Sequence, residues 1–117
     1  MPTILVVDDE PGLRLLYTAE LEDEGYTVIT AENCLEAATA LENKKIDLVV
    51  LDIQIKQESG LDILQKIVDK HSGLPVILCT AYNCYKDDFS SWLADAYIVK
   101  SSNLNELKAE IVRLLKT

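Results

Sequence analysis

The sequence lacks many of the features that mark out functional classes. It holds neither a GxxxxGK[ST] loop nor a GxGxxG loop, so nucleotide binding has no support in it. There are three cysteines, Cys34, Cys79 and Cys84, with no CxxC pair and no Cys/His cluster; this leaves neither a disulfide framework nor a zinc site. Cys79 sits inside the apolar run VILC and reads as a small core hydrophobe, and thiols of this kind suit a reducing compartment. Histidine occurs once, as His71, with no acidic neighbour suited to phosphotransfer, and is expected at the surface end of a helix. Positive charge is scarce: 11 Lys and Arg face 20 Asp and Glu, a formal net charge of −9. That balance argues against direct nucleic acid binding, which needs a basic face, and against anionic membrane surfaces. No apolar run approaches the ~18 residues of a membrane span and no signal-peptide pattern opens the chain, so a cytoplasmic protein is expected.

What is present alternates. At 117 residues, 49% hydrophobic and 26% charged, the chain fits one globular domain with a real core. Short β-branched runs occur at 3–7 (TILVV), 26–30 (YTVIT), 47–51 (DLVVL), 75–79 (PVILC) and 96–99 (AYIV). Continuous apolar runs of this kind mark parallel strands covered by helices on both faces. Between them lie stripes at helical spacing: Leu13, Leu16, Tyr17 and Leu21; Cys34, Ala37, Ala38 and Leu41; Leu61, Leu64, Val68 and His71; Leu104, Leu107, Ile111 and Leu114. Pro11 suits the start of the first helix, and Ser102 or Asn103 can cap the last. The polar segment 83–94 reads as a short or irregular fourth helix. The pattern βαβαβαβαβα predicts an α/β protein, a three-layer α/β/α sandwich around a five-stranded parallel sheet.

Polar residues gather at the strand ends. The first strand runs into Asp8 and Asp9, the third into Asp52, the fourth into Thr80 and the fifth into Lys100. In open α/β sheets, ligands bind outside the carboxyl ends of the strands. Two carboxylates ~4 Å apart repel by roughly 4 kcal/mol at an effective dielectric of 20, so three together call for a cation. Lys100 supplies one charge, and a hard ion with oxygen ligands supplies the rest. Mg²⁺, which takes one or two carboxylates, waters and a phosphate, fits Asp8, Asp9 and Asp52. An aspartate can also accept a phosphoryl group as nucleophile, with the lysine and the Thr80 hydroxyl stabilising the transferred oxygens.

With these residues in place the chain resembles the receiver domain of two-component response regulators. The resemblance spans residues 1–117 and rests on the acidic pair in ILVVDDE, the aspartate in LVVLD, Gly60 eight residues later, the hydroxyl in PVILCTAY and the lysine in YIVK. It implies the flavodoxin-like strand order 2-1-3-4-5. It further implies Asp52 as phosphoacceptor, with Mg²⁺ held by Asp9, Asp52 and the backbone carbonyl of Gln54, and Asp8 close by or acting through water. Thr80 and Lys100 would bind phosphoryl oxygens, and Tyr97 matches the aromatic switch residue, although it also reads as a plain core aromatic. The implied partners are a sensor histidine kinase and a downstream protein target or effector domain, with a dimer through the face of the fourth helix, fifth strand and fifth helix. The chain departs from the family in Ser101, where proline usually follows the lysine, and in Lys56, where many receivers carry proline. A cis bond before a non-proline residue costs about 3–4 kcal/mol, so the loop after Lys100 is expected to run trans.

The function that the resemblance implies is a phosphorylation-activated signalling switch of a two-component system, and two other functions compete with it. One is a phosphorylation-independent interaction module that keeps the fold. The other is a Mg²⁺-dependent phosphatase working through an aspartyl intermediate; such enzymes commonly need a second acid two residues after the nucleophile, where this chain has Gln54. The switch catalyses only its own phosphorylation and dephosphorylation and is not otherwise an enzyme. The chain reads either as a single-domain regulator acting through protein contacts or as a piece of a longer one.

Overall fold

A computed structural model describes residues 2–52, 54–55, 58–71, 73–80, 95–99 and 104–115. The apolar runs pair side by side as parallel strands: β1 (Thr3–Val7), β2 (Thr27–Ala31), β3 (Leu48–Asp52), β6 (Val76–Thr80) and β7 (Ala96–Val99). Their order is β2-β1-β3-β6-β7, which is 2-1-3-4-5 counted over the main sheet, as the resemblance implied. The helices are α1 (Pro11–Asp23), α2 (Cys34–Asn43), α3 (Gly60–Lys70) and α4 (Asn105–Leu115). Between β3 and α3 lies an antiparallel hairpin, β4 (Gln54–Ile55) with β5 (Glu58–Ser59), which the apolar pattern did not predict. The expected fourth helix at 83–94, the caps Ser102 and Asn103, and the positions Lys56, Lys100 and Ser101 lie outside the described residues.

Alternate strand residues feed opposite faces, as the period of two requires. Ile4, Val6, Leu48, Val50, Ile77 and Ile98 pack against Tyr17 and Leu21 of α1 and Leu107, Ile111 and Leu114 of α4. Leu5, Val7, Val49, Leu51 and Leu78 pack against Ala37 of α2 and Ile63, Leu64 and Ile67 of α3. Every residue of β3 is buried, because it is the middle strand and both faces are covered.

Three strands start and end one residue later than the apolar runs suggest, and backbone bonding explains the shift. Tyr26 is taken up in closing α1: its N–H donates to the Leu21 carbonyl at 3.2 Å while Gly25, at φ +95°, donates to Glu22 at 3.0 Å. This glycine-centred C-terminal motif needs the left-handed conformation that glycine adopts without strain. Asp47 clamps the start of β1 instead of opening β3: its N–H donates to the Thr3 carbonyl at 2.8 Å and its Oδ2 accepts from the Thr3 N–H at 2.7 Å. Asp95 repeats the device on Val76, at 2.8 and 2.9 Å. Pro75 has no N–H to give to a ladder. Two stripe positions are also corrected. Leu16, at 37%, and Ala38 are exposed, because the buried stripe of each helix is narrower than the periodicity suggests. His71 follows α3 at the partly exposed end of the helix, as expected.

Candidate functional site

β1 and β3 are neighbours, with Val7 opposite Leu51, so the next step along each strand sets Asp8 beside Asp52. Both continue the even-numbered series that faces α1 and α4. Asp8 is 1% exposed and Asp52 6%, the two buried charged side chains among the described residues. Asp9 is half-buried. A carboxylate oxygen from each of the three lies within 4.8 Å of the others. The acids that the sequence singled out are therefore brought together.

The loop that carries the acidic pair is tightly fastened. The Asp8 N–H donates to the Ala31 carbonyl at 3.0 Å, which extends the β1–β2 ladder by one step. Asp8 Oδ1 accepts from the Glu10 N–H at 2.9 Å, an Asx-type turn that aims the chain into α1. Pro11 then opens that helix with no backbone donor to leave unsatisfied. Arg14 Nη1 donates to the Asp8 carbonyl at 2.6 Å. Sequence reasoning missed Arg14, because no motif spacing links a helix arginine to the carbonyl of a preceding strand end.

Of the remaining expected residues, Thr80, Gln54 and Tyr97 are among the described ones and Lys100 is not. Asp52 pairs in register with Cys79, so Thr80 ends β6 one step beyond, at the same edge of the sheet, and its backbone pairs with Val99. Lys100 follows Val99 directly in sequence. Gln54 opens the hairpin two residues after Asp52, its backbone paired with Ser59. Tyr97 pairs with Leu78 on the edge strand β7 and packs, partly buried, against the α2/α3 core. An open cleft of about 450 Å³ lined by Lys44, Lys45, His71 and Pro75 lies at the opposite, amino-terminal ends of β3 and β6, away from the acids.

A donor set made only of carboxylate oxygens favours a hard cation over zinc or copper. Two of the three acids are buried, where like charges repel most strongly and a counter-ion gains most. The residues present therefore fit a Mg²⁺ ion with open positions for water and phosphate.

Comparison with known proteins agrees with this geometry. The family model described as the response regulator receiver domain matches residues 4–112. The chain is 36% identical over 116 residues to the probable transcriptional regulatory protein TcrX of Mycobacterium tuberculosis, covering 97% of this chain and 50% of that protein. It is 37% identical over 115 residues to the regulatory protein VanR of Enterococcus faecium, covering 97% and 49%. Thus it spans half or less of the length of these curated relatives. Among solved structures, the response regulator TrrA of Thermotoga maritima in complex with Mg²⁺–BeF is 47% identical with a TM-score of 0.94, over 97% of this chain and 99% of that one. The same regulator in complex with histidine kinase ThkA matches at 48% identity and a TM-score of 0.92, over 98% and 99%. No helix among the described residues is long and apolar enough to cross a membrane. Strand order, the acid corner and the match over nearly the whole chain lead to one assignment: the chain belongs to the response regulator receiver domain family.

Proposed function

We propose that this chain, read as one receiver over residues 1–117, is a phosphorylation-activated switch that accepts a phosphoryl group on Asp52. The observation that carries the proposal is the trio Asp8, Asp9 and Asp52, with carboxylate oxygens within 4.8 Å of one another at the carboxyl edge of the sheet. Asp8, Asp9, Asp52 and the backbone carbonyl of Gln54 would hold Mg²⁺, which supplies charge neutralisation for the phosphoryl oxygens. A carboxylate oxygen of Asp52 attacks phosphorus; the O–P bond forms as the bond from phosphorus to the donor breaks, and the donor leaves with the electron pair. Thr80 and Lys100 bind the phosphoryl oxygens, the first through its hydroxyl and the second through its ammonium.

The same reading assigns the output. Rearrangement at Thr80 is followed by Tyr97 on β7, which repacks the face of β7 and α4; a charge change thus biases a two-state element. The partners of this proposal are a sensor histidine kinase, supported by the kinase complex of the Thermotoga regulator, and a downstream protein or effector domain, supported by the greater length of the transcriptional regulators among its relatives. A dimer through the same face is a further part of it. The chain turns over no metabolite and processes only its own phosphoryl group. A cytoplasmic location belongs to the reading as well, supported by a sequence with three cysteines and no CxxC pair.

The test is incubation with acetyl phosphate and Mg²⁺, followed by intact-mass measurement. Wild type is expected to gain one phosphoryl group, and Asp52→Asn or a metal chelator to abolish the gain. Silence in wild type sinks the proposal. Partner binding that Asp52→Asn leaves unchanged would instead mark a phosphorylation-independent interaction module.

A further inference from the structure

Arg14 fastens the acidic loop at both of its ends. Its backbone N–H donates to the Glu10 carbonyl at 3.1 Å, the first bond of α1, and its Nη1 donates to the Asp8 carbonyl at 2.6 Å. Asp9 is the one residue between these two anchor points. The second terminal guanidinium nitrogen, Nη2, lies 3.7 Å from Glu32 Oε2, in the loop after β2. Glu32 is tied in turn to the start of α2, because its N–H donates to Glu36 Oε1 at 2.9 Å and the Glu36 N–H donates to the capping Asn33 Oδ1 at 2.8 Å. The guanidinium side chain is only 18% exposed. A planar fork with several donors can serve two oxygens at once, which a lysine ammonium on a flexible stem does poorly.

The mechanical need follows from the charges. Asp52 sits in a strand with ladder partners on both sides, and Asp8 extends the β1–β2 ladder by one step. Asp9 stands on the loop, so repulsion among the three carboxylates is relieved most cheaply by swinging that loop outward. We propose that Arg14 is a positioning residue for the cation site: it holds the Asp8–Glu10 loop in place so that the Asp9 carboxylate stays beside Asp52, and Glu32 orients the guanidinium. The inference rests on the proposed Mg²⁺-dependent receiver function.

Geometry and charge make opposite predictions here, which gives the test its sign. If Arg14 acted only as a nearby positive charge, its removal would strengthen cation binding. As a strut, its removal weakens binding, and groups that orient metal ligands typically cost roughly 10–100-fold in affinity when lost. The experiment is calorimetric titration of the full chain with Mg²⁺ alone, well below the unfolding temperature and with the fold checked by circular dichroism. Arg14→Ala is expected to weaken Mg²⁺ binding about tenfold or more. Arg14→Gln, which keeps an N–H donor for the Asp8 carbonyl, should recover part of the loss, and Glu32→Gln should show a smaller loss in the same direction. Unchanged or tighter binding by folded Arg14→Ala overturns the strut. Should that variant not fold, unchanged binding in both Arg14→Gln and Glu32→Gln overturns it equally. Absence of Mg²⁺ uptake by wild type would refute the receiver reading itself, whereas normal wild-type uptake with unaltered variants refutes the strut alone.

Discussion

Asp52 carries two opposed energetic roles. It is the proposed nucleophile, and it is also one of three like charges crowded at a nearly dry corner. Replacing it by asparagine removes a negative charge at almost constant volume. Asp52→Asn is therefore expected to raise stability in metal-free buffer by about 1–3 kcal/mol, since paired charges at this spacing repel by a few kcal/mol at a surface-like dielectric. Urea unfolding in the presence of a chelator measures it, and a variant no more stable than wild type speaks against the repulsion. Conversely, Mg²⁺ at a hundred times its dissociation constant should stabilise wild type by about 2.7 kcal/mol and Asp9→Asn much less. At this scale the sequence was highly legible. Asp8, Asp9 and Asp52 stand out because charged residues are out of place at the ends of apolar runs. Arg14 and Glu32 were not legible, since their meeting depends on loop geometry and not on spacing.

The elements owe their boundaries to backbone bonding more than to hydrophobicity. Leu51, fully buried in the middle strand, is packed by the α2/α3 face, so Leu51→Ala should cost about 2–5 kcal/mol in a denaturant melt. Asp47 offers a more specific test. Its carboxylate takes the Thr3 N–H at 2.7 Å, and Asp47→Ala leaves that donor without its side-chain acceptor, at a cost of about 1–3 kcal/mol. A loss below a few tenths would mean that water substitutes fully. The runs at 3–7 and 96–99 matched strands at both ends, whereas the runs beginning at Tyr26, Asp47 and Pro75 did not. Each of those three residues is apolar, adjacent to an apolar run or β-compatible, yet each has its backbone committed elsewhere or lacks a donor. The two-residue strands of the hairpin after Asp52 are too short to leave any periodic signal.

Over the whole molecule, a net charge of −9 makes the few cations valuable. Lys108 on α4 bridges to α1, with its Nζ 3.0 Å from Glu20 Oε2 and 3.3 Å from Glu24 Oε1. The hydrogen bond to Glu20 is the main reason that its pKa lies above the ordinary 10.5, with Glu24 adding to it and partial desolvation opposing it. A group whose folded pKa is raised contributes stability that is complete below its unfolded value and fades as pH rises through the folded one. Stability is thus expected to hold on the Lys108 account up to about pH 10.5 and to decline above it. Lys108→Met should show a shallower alkaline decline in thermal melts, and equal slopes would discount the bridge. Added salt should weaken this partly exposed pairing while relieving the general acidic repulsion.

Local order was settled within the chain itself. The alternation of apolar runs and amphipathic stripes and the placing of acids at strand ends both depend on neighbours in sequence, and together they sufficed for the fold class and for the candidate residues. The tertiary structure decided how the edges meet. It set Val7 against Leu51, which carries Asp8 to Asp52 across the sheet, and it turned Arg14 back onto the strand that precedes its helix. The physical reason is that side-chain periodicity is a property of consecutive residues, whereas the approach of distant carboxylates depends on ladder register and on loops whose hydrogen bonds close only once the layers have packed.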